Sequence, residues 1–199
     1  MKIYDISQEV FGCQVYPGDP TPKRHLISSI ESGGVCNLTA FEMCAHNGTH
    51  MDAPLHFIKN GKAVGQIGLE ATVGMAFVAA HHGTLTEKDA ARILEKAKEA
   101  SAEAAKRILL KGDLVVSLEA ARAFASEGVL LLGNESQSVG PMAAPMEVHL
   151  VLLGAEVVLL EGIRLDAIKE GVYLLNAAPL HLGGAEGAPC RAVLIDLEG

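Results

Sequence analysis

The chain has 199 residues, 49% of them hydrophobic, with 24 acidic against 16 basic side chains and a formal charge of -8. That apolar fraction excludes a disordered chain, and the acidic balance excludes a phosphate-binding groove of clustered Lys and Arg, so no nucleic-acid partner is expected. The length predicts a single domain over residues 1–199 with its own core.

Residues 1–6, Met-Lys-Ile-Tyr-Asp-Ile, alternate like a strand and have no apolar leader region behind them. Residues 36–46 read as a strand, with Leu38, Ala40, Glu42, Cys44 and His46 on one face. Asn47-Gly48 then turns the chain. A Gly-interrupted apolar strand over 72–80 leads into a His81-His82-Gly83 turn. Thr86 with Asp89 forms a capping box for a helix through Ile93, Leu94 and Ala97. That helix runs on to about Leu110, or breaks at Ser101 and leaves 107–110 as a strand. Ser117 caps a second helix that ends at Gly128. Short strands follow over 129–132, 148–153, 157–160, 172–175 and 192–195. The longest apolar run, 150–160, contains Gly154 and Glu156 and is too short to span a bilayer, so no membrane association is expected. Cys13, Cys36, Cys44 and Cys190 show no paired spacing and read as small buried hydrophobes, reduced in a cytoplasm. The whole is an α/β chain on a mixed sheet.

Three of the eight histidines lie within residues 46–56, His-Asn-Gly-Thr-His-Met-Asp-Ala-Pro-Leu-His. Imidazole and carboxylate together suit zinc, manganese or iron. If residues 50–56 are extended, His50, Asp52 and His56 point to one side, and His46 closes on them across the turn. Three ligands can therefore meet one ion, and a carboxylate can bridge two. His149, beside an apolar run, reads alone as a hydrogen-bonded core residue. Glu161 follows Val157-Val158-Leu159-Leu160, where an unpaired buried carboxylate is costly.

The pattern His46-x-Gly48-Thr49-His50-x-Asp52-Ala53-Pro54-x-His56 resembles the signature of the cyclase-like metal-dependent hydrolases, which include bacterial kynurenine formamidases and isatin hydrolases. Tyr16-Pro17-Gly18-Asp19-Pro20, the segment 132–138, Glu147-Val148-His149 through Glu161-Gly162, and Pro189-Cys190-Arg191-Ala192 extend the resemblance along the chain. The resemblance implies a swivelling β/β/α fold, usually a homodimer or homotetramer. It implies two divalent ions per subunit, zinc first and manganese or iron next. His46, His50 and Asp52 would hold one ion, Asp52 and Glu161 would contact both, and His149 would hold the second. His56 would stay off the metals as general acid and base, and Tyr16 would stand where formamidases place an aromatic substrate contact. The implied activity is hydrolysis of a small-molecule amide, N-formyl-L-kynurenine to kynurenine and formate. The alternatives are a cyclic amide or lactone of isatin type, and a metal-binding protein without catalysis. Glu135, where the family often has Asp, is read as either a wall of the site or a loop cap.

Overall fold

The computed structural model describes residues 1–197. The expected domain over 1–199 includes Glu198 and Gly199, which lie outside the described residues. The strands are β1 (Lys2–Asp5), β2 (Lys23–Ser28), β3 (Leu38–Glu42), β4 (His50–Asp52), β5 (Val73–Ala80), β6 (Gly83–Leu85), β7 (Arg107–Lys111), β8 (Leu114–Val116), β9 (Leu131–Asn134), β10 (Val158–Glu161), β11 (Gly171–Asn176), β12 (Gly187–Pro189) and β13 (Val193–Asp196). The helices are α1 (Leu69–Thr72), α2 (Glu87–Ala100), α3 (Leu118–Ser126) and α4 (Met146–Gly154), with a 3-10 turn at Pro54–His56.

Nine strands form one mixed sheet in the order β1-β13-β11-β5-β7-β9-β10-β4-β12. Its centre, β5-β7-β9-β10, is parallel, and the flanks are antiparallel. Both faces of the centre are covered. Phe77, Ile108, Leu110, Leu132 and Leu159 pack against α2, α3 and α4, through residues such as Leu94, Phe124 and Leu152. Val78, Leu109, Leu131, Val158 and Leu160 pack against Ile6, Ile163, Tyr173 and Leu194. Two-sided burial explains why these strands read as continuous apolar runs rather than alternating ones. The α/β architecture with a mixed sheet is the one expected.

The helix ends follow the sequence chemistry. Thr86 Oγ1 accepts from Asp89 N, and the Asp89 carboxylate accepts from Thr86 N, opening α2. Ser101 is extended at φ -166° and closes α2, so the second alternative holds and β7 follows. Ser117 Oγ accepts from Ala120 N to open α3, and Gly128 turns the chain after it at φ 72°.

Three expectations are corrected. Residues 148–153 are not a strand; they belong to α4, which buries Val148, His149, Leu152 and Leu153 but exposes the apolar Met146 and Leu150, so it lacks the polar face that marks an amphipathic helix. The strand expected over 36–46 is limited to β3, which pairs with β2 in a separate ribbon rather than in the main sheet. His46 therefore sits in an irregular turn, in which Cys44 N donates to Asn47 Oδ1. Finally, Cys36 is exposed and the other three cysteines are only half-buried, all four unpaired.

Candidate metal centre

Strand pairing assembles the site. β4 runs antiparallel to β10 with His50 opposite Glu161 and Asp52 opposite Leu159. Side chains two apart on a strand share a face, so His50, Asp52 and Glu161 project to the side where Leu159 meets α4. α4 brings His149 down onto that face. The Pro54–His56 turn brings His56 back toward Asp52, so His56 arrives by a tight turn and not by the extended alternation expected over 50–56.

The six groups converge. His46 Nδ1 is 2.7 Å from Asp52 Oδ1, and His50 Nε2 is 3.6 Å from the same oxygen. His149 Nε2 lies 3.6 Å from Asp52 Oδ2 and 3.5 Å from Glu161 Oε1, while His50 Nε2 lies 3.5 Å from Glu161 Oε2. His56 Nε2 stands 4.0 Å from Asp52 Oδ2, and its ring stacks on His46 with centroids 4.1 Å apart. Two sets, His46-His50-Asp52 and Asp52-His149-Glu161, each offer ligand atoms lying within 4.8 Å of one another. Asp52 is common to both.

The electrostatics favour a cation. Asp52 and Glu161 are buried, and among the described residues their only ion-pair partners are histidines. Burying two carboxylates this way is costly unless positive charge sits between them. Burial pushes Glu161 up, but hydrogen bonds and charge from His149 and His50 outweigh it and hold the carboxyl well below the usual range. Burial works against charge on His46, yet Asp52 and then Glu186 outweigh it and raise the imidazole to about 9. His50 and His149 are likewise raised, desolvation being overcome chiefly by Glu161. His56 goes the other way: desolvation, the largest cause, together with the charges of His46 and His149 outweighs what Asp52 and Glu161 return.

The donor set fits a divalent ion. His50 Nδ1 is 2.9 Å from Gly48 O and His149 Nδ1 is 2.8 Å from Pro145 O, contacts that in the neutral ring put the N–H on Nδ1 and leave the Nε2 lone pair facing the carboxylates. Such outer partners orient metal-binding imidazoles. Val139 N donates to Glu161 Oε1 at 2.6 Å and fixes that carboxylate. The oxygen and nitrogen donors suit zinc, manganese or iron.

A cavity of about 410 Å³ opens over the cluster, lined also by Tyr16, Phe57, Gln137, Ser138 and Glu186. Tyr16 lines the cavity wall, and its hydroxyl donates to Met142 O at 3.1 Å. Phe57 was missed: it follows His56 directly and packs on His149 with centroids 4.7 Å apart. Glu186 was missed too, because it reaches His46 from 140 residues away. Glu135 proves to be a loop cap. Its carboxylate accepts from Gly112 N and Leu165 N, and it does not line the cavity. His25 is exposed beside Glu42, and His81, His82 and His181 lie outside the cluster.

Residues 4–141 match the family described as "Putative cyclase". The chain belongs to this cyclase family. Among its relatives, the kynurenine formamidase of Salinibacter ruber (strain DSM 13855 / M31) is 33% identical over 98% of this chain and 98% of its own. That of Erythrobacter litoralis (strain HTCC2594) is 30% identical over 98% of this chain and 94% of its own. A solved structure described as a potential metal-dependent hydrolase with cyclase activity superposes with a TM-score of 0.82 at 29% identity, covering 100% of this chain and 99% of that one. These relatives cover 98–100% of the chain. No helix among the described residues is long and apolar enough to cross a membrane.

Proposed function

We propose that this cyclase-family chain is a metal-dependent amide hydrolase whose substrate is N-formyl-L-kynurenine, cleaved to kynurenine and formate. The observation that carries the reading is an imidazole, His56, outside both ligand sets but beside the cluster of three histidines and two carboxylates. A storage or sensing site has no need of a base beside its ligands. Kynurenine formamidase relatives at 30–33% identity supply the substrate class.

His46, His50 and Asp52 would hold one ion, and Asp52, His149 and Glu161 a second, zinc being favoured over manganese or iron. When bound, the ions supply Lewis acidity, which lowers the pKa of water and polarises a carbonyl oxygen. The protein's own groups do the rest. His56 is neutral at pH 7 because burial holds it below its ordinary value. It accepts a proton from the water that adds to the formyl carbon. It then returns a proton to the arylamine nitrogen as the C–N bond breaks, releasing formate. Tyr16 and Phe57 supply ring faces in the cavity wall for an aromatic amine.

The active unit is a homodimer or homotetramer, and the hairpin β2-β3 supports this. Its strands are exposed at every residue but Ser28, and Leu26 and Phe41 project uncovered. A two-stranded ribbon is marginal alone, so a second copy of the chain is its natural cover. Four unpaired thiols support a cytoplasmic location.

The test is a substrate panel with zinc-loaded protein: N-formyl-L-kynurenine, N-formylaniline and isatin. Formamide turnover well above isatin opening is expected. Isatin opening without formamide cleavage would overturn the substrate assignment, and no turnover of any amide would overturn the reaction class.

A further inference from the structure

His46 differs from the other two histidines of the cluster in how its ring is held. His50 and His149 each point Nδ1 at a backbone carbonyl and turn Nε2 to the carboxylates. His46 is reversed. Its Nδ1 faces Asp52 Oδ1 at 2.7 Å, inside the cluster, and its Nε2 faces Glu186 Oε1 at 3.2 Å, on the cavity rim. A neutral imidazole carries one N–H, and whichever nitrogen bears it cannot bind a cation. The outer hydrogen bond therefore decides which nitrogen is left for the metal.

Glu186 is placed for that task by the backbone. Its carbonyl accepts from Ala53 N at 2.8 Å, directly after the ligand Asp52. The next residue, Gly187, pairs with Asp52 across β12 and β4 and lies against the His46 ring. The carboxylate thus approaches the far edge of the imidazole from the chain that already braces β4. Its side chain is 43% exposed, so removing it leaves no buried cavity.

We infer that Glu186 is a positioning residue that accepts the Nε2–H of His46, fixes the tautomer, and presents the Nδ1 lone pair to the cation held with His50 and Asp52. The inference rests on the metal reading above, and on a side chain that neither the motif over 46–56 nor the cluster of ligands includes. The other role open to a rim carboxylate is direct ligation, and the two make different demands. A positioning residue needs only an acceptor, which Gln also provides, whereas a ligand needs the charged oxygen.

The experiment measures zinc affinity by competition with a chromophoric chelator, using the full chain as wild type, Glu186→Ala and Glu186→Gln. Circular dichroism controls for folding, and ring-nitrogen NMR shifts report the His46 tautomer. Glu186→Ala is expected to weaken one of the zinc sites about 10–100-fold, the usual effect of losing an outer partner, and to mix the two His46 tautomers. Glu186→Gln is expected to recover most of that loss and restore the single tautomer. Wild-type affinity in Glu186→Ala would overturn the inference while leaving the metal reading intact. A Glu186→Gln protein as impaired as Glu186→Ala would overturn it in favour of direct ligation. A wild-type chain that binds no zinc would overturn the metal reading and this inference together.

Discussion

Gly187→Ala tests whether the backbone of β12 sets the position of His46. A methyl built at Gly187 would lie 2.7 Å from His46 Cε1 and 2.8 Å from Met51 O. Carbon atoms prefer about 3.5 Å or more, so the ring must retreat by about 0.8 Å or the strand must open. Met51 O belongs to the backbone of β4 and gives little, since β4 is held between β10 and β12. The ring therefore moves, and the contact with Met51 O strains the pairing of β12 with β4. Metal–ligand distances tolerate only about 0.2 Å, so the His46 site weakens. Overpacking of this kind costs roughly 1–3 kcal/mol, and each kcal/mol shifts the midpoint of a chain this size by about 2–4 °C. The assay is paired: thermal melts of metal-free protein, and zinc affinity by chelator competition. Gly187→Ala is expected to melt several degrees lower and to hold zinc less tightly, with far-ultraviolet circular dichroism unchanged. Melting and affinity equal to wild type would refute the packing argument.

His56→Ala is expected to keep its zinc content while kcat falls about 10²–10⁴-fold, the range for losing a general acid-base group; elemental analysis beside steady-state kinetics checks both halves. Because burial holds His56 below its ordinary value, the rate is expected to fall only as pH drops into and below the ordinary His range. A profile falling from above pH 7 toward acid would contradict that sign. Metal-free protein is expected to lose stability as pH rises from 6.5. His46 is raised to about 9 in the fold, so its contribution is fully present below the unfolded value near 6.5 and is lost through about 9. Urea melts across pH 6–8.5 check this, and rising stability over that window would contradict it. Leu26→Ser with Phe41→Ser is expected to shift sedimentation toward monomer, because the ribbon then lacks its apolar cover; an unchanged assembly would remove the hairpin from the interface.

Legibility in the sequence followed the range of the forces involved. The capping box at Thr86, the N-cap at Ser117 and the turn at Gly128 are local chemistry, and the structure places them as read. The compact set His46, His50 and Asp52 was legible because a tight turn and one short strand bring it together. The strand expected over 148–153 differs from α4 because the solvent face of this helix is itself largely apolar, with Met146, Leu150 and Gly154 exposed, so no periodic polar face distinguishes it from a buried strand. Glu186 carries no local signal at all. Its role depends on β12 pairing with β4 across the sheet edge. His149 and Glu161 are intermediate: pairing of β10 with β4 gives Glu161 its place, and residue spacing alone could only suggest it.

Amide hydrolysis assisted by His56 would need two ions held by His46, His50, Asp52, His149 and Glu161. The most direct measurement is a titration of chelated protein with zinc, following binding and N-formyl-L-kynurenine hydrolysis together. Activity should be absent in the metal-free chain and return as two equivalents bind. Full turnover in the metal-free protein, or saturable zinc binding with no hydrolysis, would contradict the account.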